Sequence, residues 1–183
     1  MEKFFLKRDT VVLVVVDIQE RLAVVMGQRH KVVAHTLHLI EAAKLLRIPI
    51  IVTEQYPKGL GRTVSEIRDA LPSIEPIEKI VFGCCAEPSF QSTLASFGTK
   101  KVIVCGMETH VCVLQTCLGL LLNSYFVHVV ADAVCSRTKE SHKTGIEFMR
   151  DAGAVITGTE TVLFQLLEKA GTEEFKAISK RIK

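Results

Sequence analysis

Six short runs of mostly β-branched apolar residues constrain the fold of this chain more than any other feature. They lie at residues 11–16, 49–53, 77–82, 101–105, 126–131 and 154–157. Most of these runs are apolar on both faces, which is typical of strands that helices cover on each side. Segments with helical spacing alternate with them, at residues 31–47, 64–71, 87–97, 110–123, 139–151 and 160–169. This alternation predicts an α/β fold, a three-layer α/β/α sandwich around a mostly parallel sheet.

The composition indicates a folded domain and disfavours two kinds of partner. With 183 residues, 48% hydrophobic and 23% charged, the chain is expected to form a single domain over residues 1–183. A net charge of +3, with two Tyr and no Trp, gives neither a basic surface nor stacking groups for nucleic acid. No apolar run reaches the length of a membrane span, so we expect no nucleic acid and no membrane as partners.

The cysteines indicate a reducing compartment. Six cysteines could form three disulfides, but a chain of this length can bury a core without them. The opening residues 1–8 contain too few apolar side chains for a secretory signal. We therefore expect a reduced, cytoplasmic protein.

The first candidate for chemistry is Cys112. It lies in the opening residues of an apolar helical segment, after a strand-like run that stops at Gly106. The N-terminal end of a helix presents unpaired N–H groups and a positive dipole, both of which favour a thiolate. The same N–H groups can hold an oxyanion. The pattern predicts a nucleophile at this position.

Two further residues supply the charges that such a nucleophile needs. Asp17 and Glu54 follow the first and second runs, where the sites of parallel sheets lie, and Lys79 lies in the third run. A lysine would lower the pKa of the thiol, and an aspartate could take its proton and later activate water. Sequence distance alone does not bring Asp17, Lys79 and Cys112 together.

Each of these residues also has a purely structural interpretation. Cys112 could be a small apolar core residue, and Asp17 with Glu20 fits a helix capping box. Lys79 could be a solvated surface lysine. His110 is close to Cys112 in sequence, but two residues apart on a helix the side chains do not face each other.

Three short motifs in the same order carry a resemblance to a known family. They are Asp17-Ile18-Gln19 after the first strand, Lys79 ahead of Phe82, and Gly106, Thr109, Cys112 and Val113 in the pattern Gly-x-x-Thr-x-x-Cys-Val. Over nearly its whole length the chain resembles the isochorismatase-like (cysteine) hydrolase superfamily. Residues 54–61 and 175–178 look most like the eukaryotic isochorismatase-domain-containing proteins.

The resemblance implies a fold, a triad and a reaction. The sheet would have six strands in the order 3-2-1-4-5-6, and Asp17, Lys79 and Cys112 would form a catalytic triad. The peptide between Met107 and Glu108 would be cis, and the N–H groups of Glu108 and Cys112 would form an oxyanion hole. Cys112 would attack a carbonyl carbon, Asp17 would protonate the leaving group, and water would release the acyl-enzyme. The weaker candidates for the wall of a small-molecule pocket are Gln19, Glu54, Tyr56 and Phe82.

Departures from two branches of the family narrow the chemistry. Nicotinamidases carry a metal cluster after the second strand, but residues 53–59 contain no histidine here, so we expect no metal and no cofactor. Isochorismatases of siderophore pathways cleave a vinyl ether and usually lack the cysteine that this chain has. The predicted reaction is therefore hydrolysis of a small amide-type C–N bond through a thioester acyl-enzyme.

Two other functions remain open at this point. One is a catalytically silent binding or scaffolding protein of the same fold. The other is a thiol redox sensor in which Cys84 or Cys85 forms a disulfide with Cys112. We also expect a homo-oligomer, from the family and from an apolar stripe of Phe175, Ile178 and Ile182 that would pack on the domain or on a neighbouring subunit.

Overall fold

The computed structural model describes residues 1–182 and contains one six-stranded sheet. The strand order is β3-β2-β1-β4-β5-β6, and every neighbouring pair is parallel. This confirms the predicted fold class and strand order. The strands are β1 (Val11–Val16), β2 (Ile50–Gln55), β3 (Ile77–Lys79), β4 (Lys101–Met107), β5 (Phe126–Cys135) and β6 (Val155–Thr157).

Helices cover both faces of the sheet. The helices are α1 (Glu20–Ala23), α2 (Arg29–Leu46), α3 (Pro57–Leu60), α4 (Ser65–Ala70), α5 (Pro88–Ser96), α6 (Leu114–Leu122), α7 (Lys139–Asp151), α8 (Thr159–Leu167) and α9 (Glu173–Arg181). Three short 3₁₀ turns at Glu2–Phe4, Arg8–Thr10 and Cys84–Ala86, and a π-helical turn at Thr109–Val113, complete the elements.

The alternation of side chains along β1 shows why the chain forms three layers. Val11, Leu13 and Val15 join a core with α2, α8 and α9, and the three valines between and after them join a second core with α5, α6 and α7. All six residues of β1 are buried. A strand apolar on both faces can bury both only between two helical layers, because successive side chains point to opposite faces.

The end of β4 is fitted tightly against the end of β1. Gly106 pairs with Val16 and has a φ of 133°, and a Cβ built on it would lie 2.0 Å from the carbonyl oxygen of Val16. No side chain fits there, and few residues other than glycine adopt this backbone conformation. This close approach brings the segment after β4 next to the residue that follows Val16, which is Asp17.

The strands differ from their predicted bounds at the edge where sites lie. Strand β2 extends to Gln55, so Glu54 is a strand residue. Strand β5 continues to Cys135, and its pairing with β4 shifts register between Val104 and Gly106. Strand β3 ends at Lys79, whereas the sequence predicts a strand to residue 82. The next three carbonyl groups accept hydrogen bonds from side chains instead of continuing the ladder.

Three other features bear on the expectations from sequence. The apolar stripe of the last helix packs on its own domain, with Ile178 only 4% exposed and Phe175 and Ile182 against the same core. All six cysteines lie within residues 1–182 and are free. Within that part of the chain, no helix combines the length and the apolar character that crossing a membrane requires.

The fit at Gly106 predicts a large loss of stability on adding one methyl group. We expect Gly106→Ala to lower the free energy of unfolding by about 3 kcal/mol, because the Cβ overlaps the Val16 carbonyl and the backbone is strained. Urea unfolding followed by circular dichroism measures this. Gly98→Ala is the matched control, since Gly98 also has a positive φ, of 64°, but has no atom within 4 Å of the added Cβ. Equal losses in the two variants would contradict the account.

Candidate functional site

Asp17 and Lys79 form a buried ion pair at the carboxyl ends of the strands. Asp17 directly follows β1 in a left-handed backbone conformation, with φ 51°, and Lys79 is the last residue of β3. The Lys79 Nζ lies 2.6 Å from the Asp17 Oδ2, and both side chains are 0% exposed. The strand order places β2 between them, so residues of β2 lie beside the pair.

Two side chains of β2 hydrogen-bond to the two ions. The Thr53 hydroxyl donates to Asp17 Oδ1 at 2.7 Å, and Lys79 Nζ donates to Gln55 Oε1 at 2.9 Å. Sequence reasoning missed both Thr53 and Gln55. The signal was available, since residues two apart on a strand share a face. The face that points at Asp17 therefore carries Thr53 and Gln55, and Glu54 faces away.

The remaining contacts of Lys79 come from the loop after β3. Its Nζ also donates to the carbonyl oxygens of Phe82, at 3.0 Å, and Val81, at 3.3 Å. A buried charge is costly unless it is paired and hydrogen-bonded, and here carbonyls, an amide and a carboxylate surround the ammonium. The interpretation of Lys79 as a solvated surface residue is wrong.

Cys112 lies beside this ion pair in a π-helical turn. The turn covers Thr109–Val113 and leads directly into α6, and Cys112 is 5% exposed. Burial raises the pKa of the Cys112 thiol well above its ordinary value, and the negative charge of Asp17 raises it further, while the positive charge of Lys79 lowers it. The charges show that all three residues lie close together. Burial and the Asp17 carboxylate favour the protonated form of Cys112, whereas the position at the helix start predicts a thiolate.

Side chains of the following elements hold the backbone turn before Cys112. The peptide between Met107 and Glu108 is cis. The Glu108 carboxylate accepts hydrogen bonds from the backbone N–H and the Nε of Arg137, at 3.0 and 3.2 Å. Thr109 Oγ1 lies 3.0 Å from His142 Nδ1. The loop after β5 and the first turn of α7 therefore fix this segment.

His110 is directed away from the thiol, as the sequence analysis expects. Its Nδ1 lies 2.9 Å from the hydroxyl of Ser136. Close packing against α7 also holds the turn. A Cβ on Gly145 of α7 would lie only 3.1 Å from the backbone of Thr109 and His110, so helix and turn are in close contact there. The structure thus gives His110 a role in holding the turn.

Gln19 does not line a pocket wall, which corrects its prediction. The side chain is 0% exposed: its Nε2 donates to the carbonyl oxygens of Gln55, at 3.0 Å, and Gly61, at 2.7 Å, and its Oε1 accepts from the Gln55 N–H. Because these bonds occupy the amide, Gln19 positions the end of β2 that carries Gln55.

Glu54 also has a structural partner. Its Oε1 accepts from the Thr63 N–H at 2.5 Å and from the Thr63 hydroxyl at 2.7 Å, and the residue is 4% exposed. This ties the loop after α3 to β2. The pocket-wall prediction for Glu54 is therefore wrong, because its carboxylate faces a loop backbone.

Tyr56 and Phe82 are the two weaker candidates that remain accessible. Tyr56 is 53% exposed and Phe82 is 52% exposed. Tyr56 lines an open groove of about 440 Å³ beside Lys79, together with Ile80 and Val81. Both aromatic rings are free to contact a ligand at this edge.

The capping interpretation of Asp17 is wrong as well. Helix α1 begins after Gln19 without a side-chain cap, and the carboxylate of Glu20 pairs with Arg68 at 2.9 Å. The Asp17 carboxylate instead binds Lys79 and Thr53 and lies beside the Cys112 thiol. Over residues 1–182, His, Cys, Asp and Glu side chains form no group of three arranged to hold a metal ion.

We expect removal of one charge of the buried pair to destabilise the protein more than removal of both charges. We expect Lys79→Met to lower the free energy of unfolding by about 3–5 kcal/mol, because Asp17 is left buried without its cation. Adding Asp17→Asn to Lys79→Met removes the unpaired charge, so the double variant is expected to be more stable than Lys79→Met alone. Urea unfolding measures both.

The control for this experiment is Lys143→Met. The Lys143 side chain is 76% exposed and its ion pair with Glu147 is 3.8 Å long, so the loss is expected to stay below about 0.5 kcal/mol. A loss in Lys79→Met no larger than this would show that the buried pair is not what holds the strand ends together.

Comparison with known proteins identifies the family of the chain. The Isochorismatase domain model matches residues 11–161. The secreted isochorismatase effector Isc1 of Phytophthora sojae is 45% identical over 176 residues, covering 94% of this chain and 84% of that protein. Isochorismatase domain-containing protein 2 of Danio rerio is 39% identical over 170 residues, covering 92% and 85%.

A solved structure extends the match to three dimensions. The structure described as MAR1 ribonuclease from Caenorhabditis elegans superposes with a TM-score of 0.90 at 38% identity, covering 97% of this chain and 92% of that one. The family model covers well over half of the chain, and both relatives are more than 30% identical over more than 90% of it. The chain belongs to the isochorismatase family.

Proposed function

We propose that this chain is a cysteine-dependent hydrolase of a small amide-type C–N bond, with Asp17, Lys79 and Cys112 as its catalytic triad. The observation that carries the proposal is the position of a cysteine beside a fully buried carboxylate–ammonium pair. A nucleophile, a proton acceptor and a balancing cation are the three groups that acyl transfer through a thioester requires.

The raised pKa of Cys112 assigns the first proton transfer. Because the thiol is protonated at rest, Asp17 takes its proton as Sγ attacks the carbonyl carbon. The new S–C bond forms, the C=O electron pair moves to oxygen, and the Lys79 ammonium balances the charge that appears in the buried site. Asp17 then gives the proton to the leaving nitrogen as the C–N bond breaks.

Water completes the cycle through the same residue. Asp17, again ionised, takes a proton from water as the water oxygen attacks the thioester carbon. The C–S bond breaks, and the proton returns to Sγ to restore the thiol. One carboxylate thus acts as base and acid in turn, which requires it to be near both the sulfur and the leaving group.

The backbone turn before Cys112 is the proposed oxyanion hole. The N–H of Glu108 donates to no acceptor within residues 1–182, while the side chain of Glu108 is directed at Arg137. Together with the N–H of Cys112, it would stabilise the charge on the carbonyl oxygen in the transition state. Arg137, Ser136 and His142 keep this turn in place through their contacts with residues 108–110.

Two other activities can be weighed against this one. The Caenorhabditis relative is described as a ribonuclease, so RNA belongs among the substrates tested. A redox role would join Cys112 to Cys84, which lies near it. Burial raises the pKa of Cys84 to about 11, and the residue is 0% exposed. A buried, protonated thiol is a poor reactant for a disulfide switch, which favours hydrolysis.

The experiment is a hydrolysis assay on matched variants. Small amides, carbamoyl compounds, vinyl ethers and an RNA oligonucleotide are incubated with the wild type, Cys112→Ala, Asp17→Asn and Cys85→Ala. We expect the wild type to release ammonia or an amine from an amide or carbamoyl compound. The rate of release is expected to fall by about 10³-fold or more in Cys112→Ala and in Asp17→Asn. Cys85 is partly exposed and outside the triad, so Cys85→Ala is expected to keep the activity.

Mass spectrometry on the same samples identifies the intermediate. An acyl adduct on the peptide that contains Cys112, formed by the wild type and absent in Cys112→Ala, is the expected result. Turnover that survives Cys112→Ala, or cleavage of RNA with no amide hydrolysis, would contradict the proposed reaction. Absence of all turnover by the folded wild type would favour the scaffolding alternative.

The proposal includes an oligomeric, cytoplasmic protein that acts on a small molecule. Exposed apolar side chains at Ile80, Val81 and Phe82 lie at the same edge as the triad and support association of copies. The six free cysteines support a reducing compartment. The Phytophthora relative is named as a secreted effector.

A further inference from the structure

A second cavity lies on the other side of the turn that precedes Cys112. It has a volume of about 290 Å³ and lies between the start of α2, the end of β5 and the start of α7. This volume is near the lower end of the range for small-molecule sites. The proposed hydrolysis does not use this cavity, and Asp17, Lys79 and Cys112 are not among its lining residues.

Most of the charged residues that line the cavity are cationic. Lys31 comes from α2, Arg137 from the loop after β5, and Lys139 from the first position of α7. Asp132 is the single acidic residue among the lining residues. Arg137 is paired with the Glu108 carboxylate at 3.2 Å, which leaves Lys31 and Lys139 against one acidic lining residue. Such an imbalance favours a ligand with negative charge.

Asp132 does not cancel this imbalance, because its carboxylate is already engaged. Its Oδ1 accepts from the N–H and the hydroxyl of Thr159, at 2.9 and 2.8 Å. Its Oδ2 lies 3.6 Å from His35 Nδ1. The carboxylate thus binds the first turn of α8, and its other oxygen faces α2.

Lys31 and His142 lie close to each other in the lining of the cavity. Burial lowers the pKa of His142, and the charge of Lys31 lowers it further. The ammonium of Lys31 is therefore close enough to repel a second positive charge. The Nδ1 of the ring already lies 3.0 Å from Thr109 Oγ1, so its Nε2 is the ring nitrogen that can contact a ligand.

The start of α7 adds backbone donors to the same wall. Thr138 caps this helix, and its side chain and carbonyl accept from the N–H groups of Ser141 and His142. The N–H groups of Lys139 and Glu140 precede the first intrahelical bond. Helix α7 has 13 residues, so its positive end adds to the charges of Lys31, Arg137 and Lys139.

We propose that this cavity binds a small anion carrying a carboxylate or phosphate group, held by Lys31, Arg137 and Lys139. The site shares a wall with the turn before Cys112. Three consecutive residues of that turn, Glu108, Thr109 and His110, contact the lining residues Arg137, His142 and Ser136. The anion therefore lies directly behind the backbone that carries the proposed oxyanion hole.

Titration calorimetry tests the site without reference to catalysis. Inorganic phosphate and succinate are titrated separately into the wild type at constant ionic strength. Phosphate binding, succinate binding or both would support the proposal, and the stronger of the two identifies the class of anion. The Cys112→Ala variant is expected to bind as the wild type does, so the result is independent of whether the chain hydrolyses amides.

Variants locate the site. The double variant Lys31→Gln/Lys139→Gln is expected to bind about tenfold more weakly, because two charge-assisted contacts are lost. Lys143→Gln is the matched control: Lys143 lies on the same helix and is removed from the lining, so binding is expected to be unchanged. No binding of either anion by the wild type, or equal weakening by Lys143→Gln and the double variant, would overturn the proposal.

Discussion

The hydrogen-bonded ion pair between Asp17 and Lys79 is the interaction on which the rest of the site depends. It joins the ends of β1 and β3 across β2, at a distance of 2.6 Å and with both side chains 0% exposed. Such a pair is costly to bury, so it adds little net stability by itself. The pair instead fixes the positions of its neighbours. Thr53, Gln55 and the carbonyl groups after β3 all hydrogen-bond to one of the two charged groups.

Much of the fold follows from the sequence because its causes are local. A strand such as residues 11–16, apolar at every position, can only be buried on both faces, and Gly106 can only be a glycine beside the Val16 carbonyl. The triad was reached through motifs, since distance along the chain does not reveal proximity. Gln55 could have been found from the two-residue period of β2, which separates its face from that of Glu54.

The errors have a common physical origin. Gln19 and Glu54 are polar residues near the site, but the loop backbones around residues 55–63 need hydrogen-bond partners, and these side chains supply them. Strand β3 is short for the same reason, because Lys79 and Gln55 take carbonyl groups that a longer ladder would have used. Satisfying buried polar groups is a property of the assembled site, and no single segment reveals it.

The protonation state of Cys112 is the main revision of the chemistry. A neighbouring lysine favours a thiolate, but burial and the carboxylate of Asp17 oppose it more strongly, and the pKa of the thiol is raised. In the proposed reaction, the thiolate forms when Asp17 accepts the proton during attack. A thiol that is protonated at rest is also less reactive towards other electrophiles and oxidants.

The pH dependence of Cys112 alkylation tests this account most directly. Iodoacetamide is reacted with the wild type, and the labelled peptide containing Cys112 is quantified by mass spectrometry. We predict that the rate is still rising, by up to about tenfold for each pH unit, between roughly pH 7 and pH 9, because the pKa is raised and only the thiolate reacts. A rate that is already at its plateau near neutral pH would show a preformed thiolate and contradict the role of Asp17 as the proton acceptor.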